Sequence, residues 1–113
     1  MAAQSQATVS EGEEALAFQL KAAKIPFRRE VRFDDVRKWR FDFVLLEGAG
    51  SLAVEVEGGA HSGGHKRHDK ADDDCEKHNA AVMAGWKVYR FTPAMVDDGR
   101  ALATVERALG RRE

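Results

Sequence analysis

The chain has 113 residues, enough for one domain, and 43% of them are hydrophobic, which is enough to form a core. A formal net charge of −1 disfavours a nonspecific nucleic-acid binder, and the single cysteine, Cys75, excludes an internal disulfide and suits a reducing compartment. No apolar run approaches the about 18 residues of a membrane span, and the N-terminal residues lack the apolar stretch of a signal peptide. We therefore expect a soluble, cytoplasmic protein.

Capping signals and apolar spacing predict one domain over residues 10–113, preceded by a disordered tail over 1–9. Ser10 and Glu13 form a capping box for a first helix that ends before Pro26. The predicted order is α-β-β-β-α-β-α, which indicates a single α/β domain with a mixed sheet flanked by helices. Strands are predicted over 28–33, 39–46, 52–57 and 86–91, with later helices over about 69–84 and from Thr92 to Leu109.

Three carboxylates lie on two consecutive predicted strands. Asp42 interrupts an apolar strand, where burial is costly without a compensating cation, and Glu55 and Glu57 share one face of the next strand. A four-residue turn over 48–51 would pair Val44 with Glu55 and Asp42 with Glu57, and all three acids would share a face. A two-residue turn is expected to place Asp42 on the opposite face. The chemistry predicts the longer turn.

Acids that converge in this way repel one another unless cations lie between them. Hard oxygen ligands select Mg²⁺, with Mn²⁺ able to substitute, and either ion polarises a phosphate and lowers the pKa of bound water. Glu13, at the start of the first helix, could supply a further oxygen. The alternative for Asp42 and Glu55 is a pair of salt bridges to arginines such as Arg29 or Arg40.

The strand motifs Arg40-Phe-Asp-Phe43 and Ala53-Val-Glu-Val-Glu-Gly-Gly59, with the later segments 74–80 and 85–91, resemble the small phage-type members of the PD-(D/E)XK nuclease superfamily. That group includes VRR-type nucleases and phage Holliday-junction resolvases. The resemblance covers most of the chain from Glu13 to Leu109 and implies a restriction-endonuclease-like core. It assigns Asp42 and Glu55 as the motif acids and the carbonyl of Val56 as a metal ligand. Glu13 matches the acid of the first helix, and Glu14 is the alternative for that role.

One position departs from the family pattern. The motif lysine should fall at residue 57, where this chain has Glu57. Either Glu57 binds a metal or orders a water molecule, or the role of the lysine has moved to the following helix. Lys77 resembles such a migrated lysine, Lys70 is a second candidate, and the alternative for Lys77 is a solvated helix residue. A lysine at the site would stabilise negative charge in the transition state.

Basic residues concentrate in two segments that we predict to bind DNA, although ordinary mixed surface charge is the alternative. The composition of the segment that follows Glu57 favours a flexible, cationic loop that closes over a bound DNA strand. Structural zinc on its histidines is disfavoured because no further ligand completes a tetrahedral set, and a loop without a direct role stays open. Trp39 is predicted to belong to the core, although it could contact a base. The predicted DNA contacts are Arg29, Arg32, Lys38, Arg40, His61, His65, Lys66, Arg67, His68 and Lys70.

The function expected from these features is a magnesium-dependent DNA endonuclease with no small-molecule cofactor. The chain has no separate module that would read base sequence, which favours selectivity for DNA shape. A homodimer would bring two active sites to opposing strands of a four-way junction, in the host cytoplasm if the protein is phage-encoded. The alternatives are a nicking, flap or repair nuclease of the same fold and a catalytically inactive DNA-binding module.

Overall fold

A computed structural model of the protein describes residues 11–45, 51–57 and 67–111, with residues 67–70 as backbone only. The predicted tail over 1–9 and the predicted cap at Ser10 lie outside the described residues. Among the described helices, none is long and apolar enough to cross a membrane. The elements are α1 (Glu11–Ala22), β1 (Phe27–Arg32), β2 (Arg40–Leu45), β3 (Ser51–Val56), α2 (Arg67–Met83), β4 (Trp86–Phe91), α3 (Pro93–Asp97) and α4 (Arg100–Ala108).

The predicted order of elements is confirmed, with one refinement at the C-terminal end. The last helical region begins as predicted, because the Thr92 hydroxyl accepts a hydrogen bond from the Met95 amide at 3.2 Å and Pro93 occupies the first turn. It is divided into α3 and α4 at Gly99, whose φ of 90° lies in the left-handed region that glycine adopts without steric cost.

The four strands form one mixed sheet in the order β1-β2-β3-β4. β1 pairs with β2 and β2 with β3 in antiparallel fashion, whereas β3 and β4 run parallel and are joined by the segment that contains α2. A parallel pair needs a crossover connection, usually a helix, and this requirement places α2 against the sheet. The single small α/β domain with a mixed sheet flanked by helices is therefore confirmed.

The sheet separates two apolar layers. The larger core joins Leu16 and Leu20 of α1 to Phe43, Val54 and Val105, which are completely or almost completely buried. The smaller core lies beneath α2, where Ala81 packs with Phe41, Val44 and Ala53. Each charged side chain near the sheet must therefore reach an edge or an end of a strand to be solvated or paired.

The register of β2 and β3 differs from the predicted one by two residues. Val44 pairs with Ala53, not with Glu55, and Phe43 pairs with Val54. Continuing this register by one residue places Asp42 opposite Glu55, not opposite Glu57. Side-chain direction repeats every two residues, so a shift of two residues does not by itself exchange the two faces of a strand. Apart from Ser51, which begins β3, the turn predicted over 48–51 lies outside the described residues.

Regular alternation along β2 breaks at Asp42. Phe41 packs in the core beneath α2, whereas Phe43, two residues later, packs in the core beneath α1. Opposite this point in β1, between the paired residues Arg29 and Val31, Glu30 has a φ of 53°. A left-handed non-glycine residue inside a strand is strained, and such strain concentrates at functional sites. The break leaves Asp42 between the two layers of the fold.

Candidate active site

Three carboxylates from three different elements converge beside the break in β2. Oxygens of Glu13 in α1, Glu30 in β1 and Asp42 in β2 all lie within 4.8 Å of one another. Glu13 is 8% exposed, and it is the only charged residue classed as buried in the described part of the chain. We call Glu13, Glu30 and Asp42 the acidic cluster.

Asp42 terminates the backbone pairing between β2 and β3 and contacts β3 through its side chain. Its Oδ2 accepts a hydrogen bond from the Val56 amide at 2.8 Å. Burial raises the pKa of Asp42 above its ordinary value of 3.8, and repulsion from Glu55 and Glu30 adds to the rise; the Val56 hydrogen bond and the charge of Lys77 oppose it. A carboxylate in this environment gains from a bound cation.

Glu55 and Lys77 form a close ion pair on the α2 side of Asp42. Lys77 Nζ lies 2.6 Å from Glu55 Oε2, and the two side chains are only 21% and 17% exposed. Oε2 itself is buried, and within the described residues it accepts no hydrogen bond of good geometry. Lys77 is therefore not the fully solvated helix residue of the alternative interpretation: its ammonium lies among the predicted site acids.

Arg29 neutralises part of the acidic charge from the α1 side. Its Nη2 lies 3.1 Å from Glu13 Oε2 and 2.9 Å from Glu14 Oε2. Burial nevertheless raises the pKa of Glu13 above its ordinary value of 4.5, with a further rise from repulsion by Asp42, while the Arg29 hydrogen bond lowers it. Arg29 was predicted to contact DNA; in the structure its guanidinium is engaged with α1.

The alternative in which arginines pair with Asp42 and Glu55 is not what the structure contains. Across the described residues, Asp42 makes no ion pair with an arginine, and the partner of Glu55 is Lys77. Arg40 instead approaches Glu30, with Nη1 3.8 Å from Oε1. Asp42 thus has negative neighbours and a lysine near it, without a directly bonded cation.

Glu57 lies apart from the acidic cluster. It follows the last residue of β3, is exposed, and its Oε2 accepts a hydrogen bond from Arg90 Nη2 at 3.1 Å. The predicted pairing of Asp42 with Glu57 is wrong because the β2–β3 register is shifted by two residues: Val44 pairs with Ala53 and not with Glu55. The contact with Arg90 in β4 accounts for Glu57 as a surface ion pair.

The predicted DNA-binding residues divide into described and undescribed sets. Arg32 and Arg40 lie directly opposite each other on β1 and β2, and both are exposed, as is Lys38 in the preceding turn. Like charges that face each other across two strands destabilise the sheet unless an anion lies between them. The remaining predicted contacts His61, His65 and Lys66 lie outside the described residues, as do the side chains of Arg67, His68 and Lys70.

Sequence reasoning missed Glu30 and Arg90. The segment 28–32 contains three arginines beside Glu30, and nothing in it distinguished Glu30 as a site acid. Its place in the cluster depends on the left-handed backbone and on the β1–β2 pairing. Arg90 pairs with Glu55 in the parallel register of β3 and β4, and this neighbour relation depends on a register that the order of elements does not give.

The donor set of this region is chemically suited to a hard divalent cation. It offers carboxylate oxygens of Glu13, Glu30 and Asp42, and the Glu55 carboxylate, which is ion-paired with Lys77, lies near enough to Asp42 to raise its pKa. Mg²⁺ and Mn²⁺ prefer oxygen ligands, and mutually repelling carboxylates bind such ions well. The carbonyl of Val56 belongs to the residue whose amide binds Asp42.

No protein-family model matches the chain, and no curated protein matches it significantly. The assignment to the PD-(D/E)XK nucleases therefore stays a prediction from the motifs.

Proposed function

We propose that the protein is a metal-dependent DNA endonuclease of the PD-(D/E)XK kind. The observation that carries the proposal is the association of Asp42, the Glu55–Lys77 pair and the Val56 backbone at one place on two adjacent strands. These are the residue types of that family's site, with the lysine supplied by α2 in place of position 57. Glu13 adds the acid of the first helix.

In this proposal Asp42, Glu55 and the Val56 carbonyl hold a Mg²⁺ or Mn²⁺ ion, and Glu13 and Glu30 lie near enough to assist. A divalent cation there would polarise the phosphate to be cleaved and make a bound water molecule more acidic. The ion pair with Lys77 holds the Glu55 carboxylate in one orientation, and the Lys77 ammonium is available to stabilise negative charge on the phosphate. The Asp42–Val56 hydrogen bond holds the Asp42 carboxylate in one orientation.

The substrate that we propose is branched DNA, with resolution of a four-way junction as the specific activity. The site lies at one end of the sheet, where Asp42 of β2 meets Val56 at the end of β3. A homodimer would present two such sites to opposing strands. Arg32, Lys38 and Arg40 provide exposed positive charge on the β1–β2 hairpin beside the acidic cluster.

The decisive experiment measures cleavage of a labelled four-way junction beside its linear duplex arms, with Mg²⁺ or with EDTA. We expect metal-dependent cleavage that favours the junction. Asp42→Asn and Glu55→Gln should each reduce the rate by about a thousandfold, equivalent to about 4 kcal/mol of transition-state stabilisation. Asp97→Asn, which removes an exposed carboxylate of α3, is the matched control and should retain the wild-type rate.

The outcomes separate the alternatives. Equal cleavage of junction and linear duplex would remove the resolvase assignment and leave a nuclease, and a panel of nicked and flapped substrates would then identify the preferred structure. DNA binding without cleavage under any metal would indicate an inactive binding module. Full activity of Asp42→Asn would show that the site is elsewhere.

A further inference from the structure

A column of packed aromatic side chains, stacked from Phe41 to Phe33 to Trp39 and tilted between Trp86 and Phe41, runs from the core beneath α2 to the surface of the β1–β2 hairpin. The ring centroids of Trp86 and Phe41 are 4.9 Å apart, those of Phe41 and Phe33 are 4.1 Å apart, and those of Phe33 and Trp39 are 6.2 Å apart. The guanidinium carbon of Arg37 lies 4.8 Å from the Trp39 ring centroid. Since Trp39 is only 9% exposed, the column presents the Arg37 guanidinium to solvent.

The backbone of the hairpin turn holds Arg37 at the end of this column. The Arg37 amide donates a hydrogen bond to Asp34 Oδ1 at 2.8 Å, and the Lys38 amide donates one to the Asp34 carbonyl at 2.8 Å. The Phe33 amide donates to the Trp39 carbonyl at 3.0 Å and closes the turn. A planar guanidinium supported by an aromatic ring loses little conformational freedom when a second planar group stacks on it.

Arg37 and Trp39 line an open groove of about 540 Å³ whose other wall is α2. On that wall Asn79 and Glu76 offer hydrogen-bonding groups, and Met83, which is 85% exposed, offers an apolar surface. A stacking surface beside polar groups suits a flat aromatic ring with a hydrogen-bonding edge. An unpaired nucleobase has this chemistry, and such bases stack on arginine guanidinium groups in other proteins.

The charges next to the groove favour nucleic acid over an apolar peptide. The exposed, mutually opposed Arg32 and Arg40 adjoin the turn that carries Arg37, and a phosphate between them would relieve their repulsion. Along β2, Asp42 is three residues beyond Trp39, a separation of about 10 Å in an extended strand. One strand of DNA could therefore reach both the groove and the acidic cluster.

We propose that this groove binds one unpaired base of the DNA, stacked on Arg37. The inference rests on the proposed function for the identity of the ligand, and it narrows the substrate to DNA with unpaired bases at a branch, flap or single-stranded segment. Arg37 and Trp39 belong to a binding subsite and take no part in the chemistry.

The test is equilibrium binding in EDTA to a labelled duplex that carries one unpaired thymine, beside the same duplex with an abasic residue at that position. We expect the full-length protein to bind the thymine probe roughly 5- to 100-fold more tightly, in accord with the stacking of one base. Arg37→Lys keeps the charge but not the planar group and should abolish the preference. Arg28→Lys, at an exposed arginine outside the column, is the matched control and should keep it.

A second measurement uses the fluorescence of Trp39 in the Trp86→Phe variant, which keeps an aromatic ring in the column. The thymine probe should change this emission more than the abasic probe does. Equal affinity of the wild-type protein for both probes, or an Arg37→Lys variant that retains the preference or weakens both probes equally, would overturn the base site. Tighter binding of the thymine probe than of the abasic probe, without any metal-dependent cleavage, would instead contradict the nuclease proposal and support the base site.

Discussion

At the scale of single residues, Asp42 combines a structural bond with an unfavourable electrostatic environment. Its carboxylate accepts a hydrogen bond from the Val56 amide at the end of the β2–β3 pairing. Burial and the nearby carboxylates raise its pKa. A raised carboxyl pKa means that the folded protein binds the proton more tightly than the unfolded chain does. The contribution of Asp42 to stability is therefore most favourable at low pH and is lost as the pH rises through the folded pKa.

This sign gives a prediction for Asp42→Asn in the absence of metal. Asparagine keeps an oxygen that can accept the Val56 hydrogen bond and removes the charge. Starting near pH 4, the melting temperature of the variant should increase relative to that of the wild type as the pH is raised toward 7. Thermal denaturation in EDTA across this range measures the difference. A difference in melting temperature between the two proteins that is constant with pH would show that folding does not raise the pKa of Asp42.

The same pair of proteins tests for the cation. Divalent cations that bind only the folded state raise stability by about 2.7 kcal/mol at a hundred times the dissociation constant. Mg²⁺ or Mn²⁺ should therefore raise the melting temperature of the wild type, and this increase should be absent in Asp42→Asn. An equal increase in both proteins would place the bound ion elsewhere.

Lys77 and Glu57 give a contrasting prediction at this scale. Lys77→Met removes the half-buried ammonium that faces Glu55, whereas Glu57→Gln alters an exposed pair with Arg90. We expect the first to lower the cleavage rate by roughly a hundredfold or more and the second to change it by less than about threefold. Single-turnover kinetics on the junction substrate measures both. A larger loss of cleavage rate in Glu57→Gln than in Lys77→Met would instead assign the role of the motif lysine to residue 57.

At the scale of elements, the close approach of α1 to β3 and α3 positions Glu13. A Cβ added at Gly12 would lie 3.1 Å from Val56 Cγ1 and 3.2 Å from the Cα of Pro93. The backbone of Pro93 cannot yield without moving α3, so α1 must shift instead. Gly12 is thus the residue that allows the neighbouring Glu13 to reach the acidic cluster.

Gly12→Ala is therefore expected to move Glu13 and to lower stability by about 1 kcal/mol, with overpacking outweighing the helix propensity of alanine. Its stabilisation by Mn²⁺ should also weaken. Gly99→Ala is the matched control, because its cost of about 1 kcal/mol comes from the left-handed backbone alone and nothing lies within 4 Å of the added Cβ. Denaturant unfolding with and without Mn²⁺ measures both. If Mn²⁺ raises the free energy of unfolding of Gly12→Ala as much as that of the wild type, Glu13 is not part of the cation site.

At the scale of the whole molecule, the distribution of charge matters more than its sum. The net charge is −1, so DNA affinity must come from local positive charge such as that of Arg32 and Arg40. Each phosphate contact contributes about 0.9 to the slope of log affinity against log salt concentration.

Replacing both Arg32 and Arg40 by glutamine should therefore reduce this slope by about 0.9, because the two arginines face one phosphate. The control replaces Lys21 and Arg107, exposed charges on α1 and α4, and changes the net charge by the same amount. Binding titrations at several salt concentrations compare the two double variants. Equal slopes would mean that net charge, and not the hairpin, determines the salt dependence.

Much of the fold was predictable from local patterns in the sequence. Apolar periodicity and breakers such as Pro26 and Gly85 indicated the order of helices and strands, and Thr92 with Pro93 marked the start of α3. An acid inside an apolar strand identified Asp42, and its position in a motif identified Glu55. These features are local, because helices, strands and caps depend on residues a few positions apart.

The pairing between distant residues was decided only in three dimensions. The β2–β3 register paired Val44 with Ala53 and not with Glu55, and Asp42 reached the Val56 amide. The left-handed Glu30 joined the acidic cluster, and the packing of α2 brought Lys77 to Glu55. Two registers that differ by two residues expose the same faces, so the alternation of side chains does not distinguish them. The choice between them depends on how side chains from separate elements fill a shared core, which a linear pattern does not encode.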